Sequence, residues 1–190
     1  MIKLVIDGKE VMAEEGSTIL EVARSYGIDI PTLCYHEVLS PYGACRMCMV
    51  EVVESGRNRL VAACLYPVRP GLQVATKSDR IIRGRRMILE LLLSRCPNSE
   101  KLKQMAADLG LERMRFPPKD DDCILCGLCV AMCRQIMKNE EVGFIGRGRT
   151  REAVTPFRAS SDFCLNCGAC RNICPARGSA TGNEQGKAKT

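Results

Sequence analysis

The chain has 190 residues and a mass of 21.0 kDa, with 46% hydrophobic and 26% charged residues, the balance of an ordinary globular protein. It carries a formal net charge of +6, only 4% aromatic residues with no Trp, 13 Cys and a single His. No apolar run approaches the roughly 20 residues of a membrane-spanning helix; one His excludes Rieske centres and argues against His-based triads and most catalytic zinc sites, and the scarcity of aromatics argues against a stacking platform for single-stranded nucleic acid.

The first eight residues, Met-Ile-Lys-Leu-Val-Ile-Asp-Gly, lack the apolar core and small-residue cleavage site of a secretory signal. Ile2–Asp7 and Val11–Ala13 read as strands joined at Asp7-Gly8, a hairpin signal. Thr18–Tyr26 reads as a helix: Thr18 and Glu21 fit a capping box, Gly27 fits the position just past the end, and Ile19, Val22 and Ala23 share one apolar face. After a loop with three Cys, Met49–Glu54 and Arg59–Ala63 are predicted strands about a Ser55-Gly56 turn, and Leu72–Thr76 alternates as a further strand. Hairpin, helix and more strands predict an α+β domain over residues 1–78.

Asp79–Arg95 has the strongest helical pattern, with Ile81, Ile88 and Leu92 on one stripe, Ile82, Leu89 and Leu93 beside it, and Asp79 expected to cap it. Cys96-Pro97 stops it, and Ser99–Leu109 predicts a shorter amphipathic helix closed by Gly110. Residues 79–115 therefore form a helical connector, whose exposed apolar face favours residence in a larger complex. Pro117-Pro118 opens the next domain, residues 116–178, in which Val142–Gly148 looks like a hairpin; residues 179–190 form a tail without periodicity.

Ten basic and five acidic residues lie in 123–190, a balance compatible with nucleic acid or an anionic surface. The plainer reading is compensation, since the formal count treats every Cys as neutral and thiolates would offset the excess Arg and Lys. The run Arg147, Arg149, Arg151 reads as a solvated hairpin face rather than a docking patch.

The Cys pattern is the most specific signal. Cys123-Ile-Leu-Cys-Gly-Leu-Cys-Val-Ala-Met-Cys133 repeats as Cys164-Leu-Asn-Cys-Gly-Ala-Cys-Arg-Asn-Ile-Cys174, each C-x2-C-x2-C-x3-C and the second completed by Pro175. In that motif three thiolates wrap one [4Fe–4S] cubane, and the fourth, expected to begin a short helix, ligates the other. Cys123, Cys126, Cys129 and Cys174 are thus assigned to one cluster, and Cys164, Cys167, Cys170 and Cys133 to the second. Gly127 and Gly168 follow the second Cys of each set, where backbone must pass close to sulfur. Zinc ribbons would want two C-x2-C pairs separated by a longer loop.

Cys34-x10-Cys45-x2-Cys48-x15-Cys64 follows the logic of a ferredoxin [2Fe–2S] site, with a longer loop than the plant-type spacing; a zinc knuckle is the alternative that spacing leaves open. Cys96 has no second thiol nearby and reads as a buried structural thiol. His36, two residues from Cys34, reads as a loop residue rather than a proton-coupled switch.

This order of motifs, with the Arg-Met-Ile-Leu-Glu-Leu-Leu-Leu-Ser helix between them, resembles the N-terminal part of the large iron–sulfur subunit of respiratory complex I, and especially its short forms such as the small diaphorase iron–sulfur subunit of NAD-reducing hydrogenases. The resemblance covers roughly residues 1–178. It implies a β-grasp ferredoxin-like [2Fe–2S] domain, a helical connector and a bacterial-ferredoxin-like 2[4Fe–4S] domain. The family's additional His/Cys3 cluster motif is missing: Cys96 stands where its His would be, and Pro97–Gly110 supplies no Cys.

With no dinucleotide fingerprint, P-loop or triad, a catalytic site of its own is not expected. The expected function is relay of single electrons between a flavin-containing, NAD(P)H-handling subunit and a catalytic redox subunit such as a hydrogenase or formate dehydrogenase, in a reducing cytoplasm, without membrane insertion or nucleic acid. The alternatives are a succinate/fumarate-oxidoreductase-type iron–sulfur subunit and a zinc-stabilised nucleic-acid-binding module.

Overall fold

The structure, a computed structural model, describes residues 1–54, 56–119, 121–158 and 164–177. Ser55 of the expected Ser55-Gly56 turn and the expected tail, 179–190, lie outside the described residues.

Strands β1 (Ile2–Ile6) and β2 (Lys9–Ala13) pair antiparallel about Asp7 (φ 48°) and Gly8 (φ 80°), the two left-handed residues that a tight hairpin of matching twist requires. Alternation puts Leu4, Ile6, Val11 and Ala13 on the buried face. Helix α1 (Ile19–Ser25) starts at the expected capping box: the Glu21 N–H donates to Thr18 Oγ1 at 3.3 Å and the Thr18 N–H to the Glu21 carboxylate at 2.7 Å. Its buried Ile19, Leu20, Val22 and Ala23 cover a five-stranded sheet.

That sheet is completed by β3 (Met49–Glu54), β4 (Arg57–Ala62) and β5 (Gln73–Ala75) in the order β2-β1-β5-β3-β4. Strands β1 and β5 are parallel and the other neighbours antiparallel. The Asp7 carboxylate accepts the Thr76 N–H at 2.7 Å, tying the end of β1 to the end of β5. The alternating Leu72–Thr76 run is thus a strand of three residues, not five.

Helix α2 (Asp79–Arg95) spans the expected residues, but its cap is Ser78, whose hydroxyl accepts the Ile81 N–H at 3.3 Å; Asp79 is the first helical residue. The expected stripe is also rotated. The buried residues are Ile81, Arg85, Leu89, Glu90 and Leu93, while Ile88 and Leu92 are half-buried. Charged side chains can occupy the inner face because each is fully engaged. Arg85 donates Nε–H to the Met47 carbonyl at 3.0 Å and Nη2–H to the Met49 carbonyl at 2.8 Å, and Glu90 receives the Arg115 guanidinium.

Helix α3 (Glu100–Asp108) folds back on α2. The apolar face of this pair, expected to be available to a partner, is instead covered within the chain. Leu89, Leu93, Leu102 and Ala106 pack with Leu33, Leu39, Met47, Ile124 and Leu128 into a second core, so the face is spent on loops of the same molecule.

Next come the single turn α4 (Leu128–Ala131), running into a wider turn over Met132–Ile136, then the hairpin β6 (Gly143–Ile145) and β7 (Glu152–Val154), and the single turn α5 (Ala169–Asn172). Among the described residues no helix is long and apolar enough to cross a membrane.

Candidate functional site

Twelve of the thiols fall into three sets of neighbours. Cys34 precedes and Cys45 and Cys48 close the loop after α1, and Cys64 follows β4; all four are buried. The Cys45 N–H donates to Cys34 Sγ at 3.3 Å, and Cys48 and Cys64 Sγ are 3.4 Å apart. The two thiols of each pair perturb one another. Cys45 is brought down to about 6, first by its hydrogen bond with Cys34, and Cys48 to about 7, first by its hydrogen bond with Cys64. Cys34 and Cys64 are pushed up, first by the same bonds and then by burial. Arg85 grips the carbonyls on both sides of Cys48, a role hidden in sequence because Arg85 reads as a polar break in an apolar stripe.

Cys123, Cys126, Cys129 and Cys174 form the second group. Cys126 is pushed up to about 12 and Cys129 to about 11, in both cases chiefly by burial, with neighbouring thiols adding to it: Cys174, Cys129 and Cys123 around Cys126, and Cys123, Cys174 and Cys170 around Cys129. Backbone amides turn toward the sulfurs: the Leu125 N–H donates to Cys123 Sγ at 3.3 Å, and those of Leu128 and Val130 bond Cys126 and Cys129. Positive φ at Leu125 (55°) and Gly127 (79°) creates this inward curl, and the second repeat copies it at Asn166 (47°) and Gly168 (72°).

The third group lines an open cavity of about 260 Å³, whose wall includes Cys133, Cys164, Cys167 and Cys170. Burial raises Cys170 first, with the charges of Cys167 and Cys133 following. Cys133 therefore sits with the thiols of the other repeat, and Cys174 with those of the first. One expectation needs correcting: the fourth Cys does not begin a helix. The short helix starts after Gly127 or Gly168 and carries the third Cys, and the fourth sits at or beyond its far end, because the left-handed glycine must follow the second Cys.

The groups adjoin. Cys34, Cys45 and Cys126 belong to one apolar core, and Cys129 feels the charge of Cys170. Cys96 lies in that core too, raised to about 12 first by burial and then by Cys123, as a neutral structural thiol. His36 is exposed and its Nδ1 accepts the Val38 N–H at 3.4 Å, a loop role. Arg151 is not solvated as expected: it stacks over Phe144 at 4.1 Å and donates to Tyr42 Oη at 2.9 Å. Among the described residues no three His, Cys, Asp or Glu side chains are grouped closely enough to hold a single metal ion. Thiols that neighbour one another, with amides aimed at sulfur in the first two groups, are the donor chemistry that suits an iron–sulfide core.

Residues 1–79 match the model of a 2Fe-2S iron-sulfur cluster binding domain. A chain in the crystal structure of NAD+-reducing [NiFe]-hydrogenase in the H2-reduced state superposes with a TM-score of 0.72 at 31% identity, over 81% of this chain and 74% of that one. The chain belongs to the family of the complex I large iron–sulfur subunit and its hydrogenase counterparts.

Other members of this family are similar along nearly the same stretch. NADP-reducing hydrogenase subunit HndD of Solidesulfovibrio fructosivorans is 35% identical over 92% of this chain. An NADH-quinone oxidoreductase subunit of Rhizobium meliloti is also 35% identical over 92%. The chain spans 35% of the former's length and 23% of the latter's. As a family member it carries a ferredoxin-type 2Fe-2S domain over residues 1–79.

Proposed function

We propose that this subunit relays single electrons through three cofactors between a flavin-bearing, NAD(P)H-handling subunit and a catalytic redox subunit, in a reducing cytoplasm. Cys34, Cys45, Cys48 and Cys64 hold a [2Fe–2S] cluster; Cys123, Cys126, Cys129 and Cys174 hold one [4Fe–4S] cluster; Cys164, Cys167, Cys170 and Cys133 hold another. Residues 1–78, 79–115 and 116–178 are the corresponding domain, connector and domain. When bound, such clusters take up and release one electron at a time with little rearrangement.

The observation that supports this reading is that thiols of each expected set neighbour one another: Cys64 feels Cys48, Cys34 and Cys45, Cys126 feels Cys123, Cys129 and Cys174, and Cys133, Cys164, Cys167 and Cys170 line one cavity. The protein's own residues insulate and tune. Leu33, Met47, Leu89 and Leu128 exclude water between the first and second groups, and the amides of Cys45, Leu125, Leu128 and Val130 stabilise negative charge on sulfur. The third group is the more open, with Cys167 exposed and Leu165 beside it 64% accessible, which suits the end at which electrons enter or leave.

An anaerobic potentiometric titration followed by EPR tests the proposal. Three separate one-electron reductions, one with the signal of a [2Fe–2S] centre and two of [4Fe–4S] centres, are expected. A single [2Fe–2S] signal would refute the relay, and a [3Fe–4S] signal in the oxidised protein would point to the succinate/fumarate type instead.

A further inference from the structure

The loop between the first two thiols, residues 35–44, crosses to the other half of the molecule. Leu39 is buried in the shared core, and the Ser40 N–H donates to Gln135 Oε1 at 2.8 Å, two residues beyond Cys133. Tyr42, half open to solvent, lies against Gly127: a Cβ built there would stand 3.0 Å from Tyr42 Cδ1. The Tyr42 ring stacks with Phe144 at 6.4 Å between centroids and 21° between planes. Arg151 completes the set, its guanidinium 4.1 Å over Phe144 and bonded to Tyr42 Oη at 2.9 Å.

None of these residues carries a thiol, yet they join the loop leading from Cys34 to Cys45 with the turns bearing Cys126 and Cys133. Stacking and cation–π contacts of this kind are orientation-dependent, so they fix an angle as well as a distance. We infer that Tyr42 and Arg151 are positioning residues, a clamp that sets the spacing of the N-terminal thiol group against the two C-terminal groups.

Arg suits this role better than Lys, since only a planar guanidinium can stack on Phe144 while donating sideways to Tyr42. Gly127 is then required twice, for its left-handed backbone and as the seat of the Tyr42 ring. A site held to within about half an ångström needs such supporting contacts, and electron exchange depends steeply on separation. The electronic consequence of the clamp rests on the proposed relay; its mechanical role does not.

The test uses the full-length protein, purified anaerobically, as Y42A, Y42F and R151A. Hydrogen exchange is read at residues 38–44 and 142–154, magnetic interaction between the reduced centres by EPR, and iron content alongside. For Y42A and R151A, exchange at the Ser40 amide is expected to rise about tenfold and the magnetic interaction to weaken at unchanged iron content. Y42F, which keeps the ring, should restore most of the protection. Unaltered exchange and magnetic interaction in both Y42A and R151A would overturn the clamp. Iron too low for three clusters in the wild type would count against the relay alone, leaving the exchange data to judge the clamp.

Discussion

Arg85 donates Nε–H to the Met47 carbonyl at 3.0 Å and Nη2–H to that of Met49 at 2.8 Å, so helix α2 holds the backbone on both sides of Cys48. The Arg85 side chain is buried, and removing it leaves two inward carbonyls without their donor. R85M should destabilise the protein by about 3 kcal/mol, read as a shift in the urea midpoint. R85K, which lacks the fork, should fall between the two. An unchanged midpoint in R85M would show that the grip is dispensable.

The two motif glycines should respond differently to alanine. Both have positive φ, but a methyl at Gly127 meets the Tyr42 ring at 3.0 Å whereas one at Gly168 meets nothing within 4 Å among the described residues. G168A should cost about 1 kcal/mol for backbone strain alone, and G127A should cost clearly more. Equal losses in paired unfolding curves would mean that the ring yields freely.

Glu90 gives the protein an acid-sensitive contact. Its carboxylate is buried and its pKa is held below the ordinary value of 4.5, first by the hydrogen bond from the Arg115 side chain, while Arg115 is raised in turn. A carboxylate depressed on folding stabilises the folded state fully above its unfolded pKa, and the contribution fades as pH falls through the folded value. The stability difference between wild type and E90Q should therefore be constant from neutral pH to about 5 and shrink below 4.5. A difference independent of pH would contradict this.

Cys96 should behave unlike the other twelve cysteines. Raised to about 12, chiefly by burial, it stays a neutral thiol at ordinary pH. C96A is expected to keep the full iron content and EPR signals at a cost of about 1 kcal/mol. In the folded protein Cys96 should resist alkylation by iodoacetamide at pH 8. Loss of iron in C96A would make it a ligand.

Local chemistry is readable where neighbours in sequence decide it. Asp7-Gly8 turns the first hairpin, Thr18 and Glu21 box the first helix, and the duplicated glycines after Cys126 and Cys167 mark the inward curl. What escapes depends on distant partners. Arg85 and Glu90 look like breaks in an apolar stripe until the Met47 and Met49 carbonyls and Arg115 supply their counterparts. The connector face looks free because the loops carrying Leu33, Met47 and Ile124, which cover it, lie far away in the chain. Arg151 looks solvated because Tyr42 is 109 residues away.

The most direct test is an iron and acid-labile sulfide assay of the anaerobically purified protein, with zinc measured in the same sample. Three clusters require about ten iron and ten sulfide per chain and negligible zinc. About two of each would leave only the N-terminal cofactor, and zinc without sulfide would contradict the account altogether.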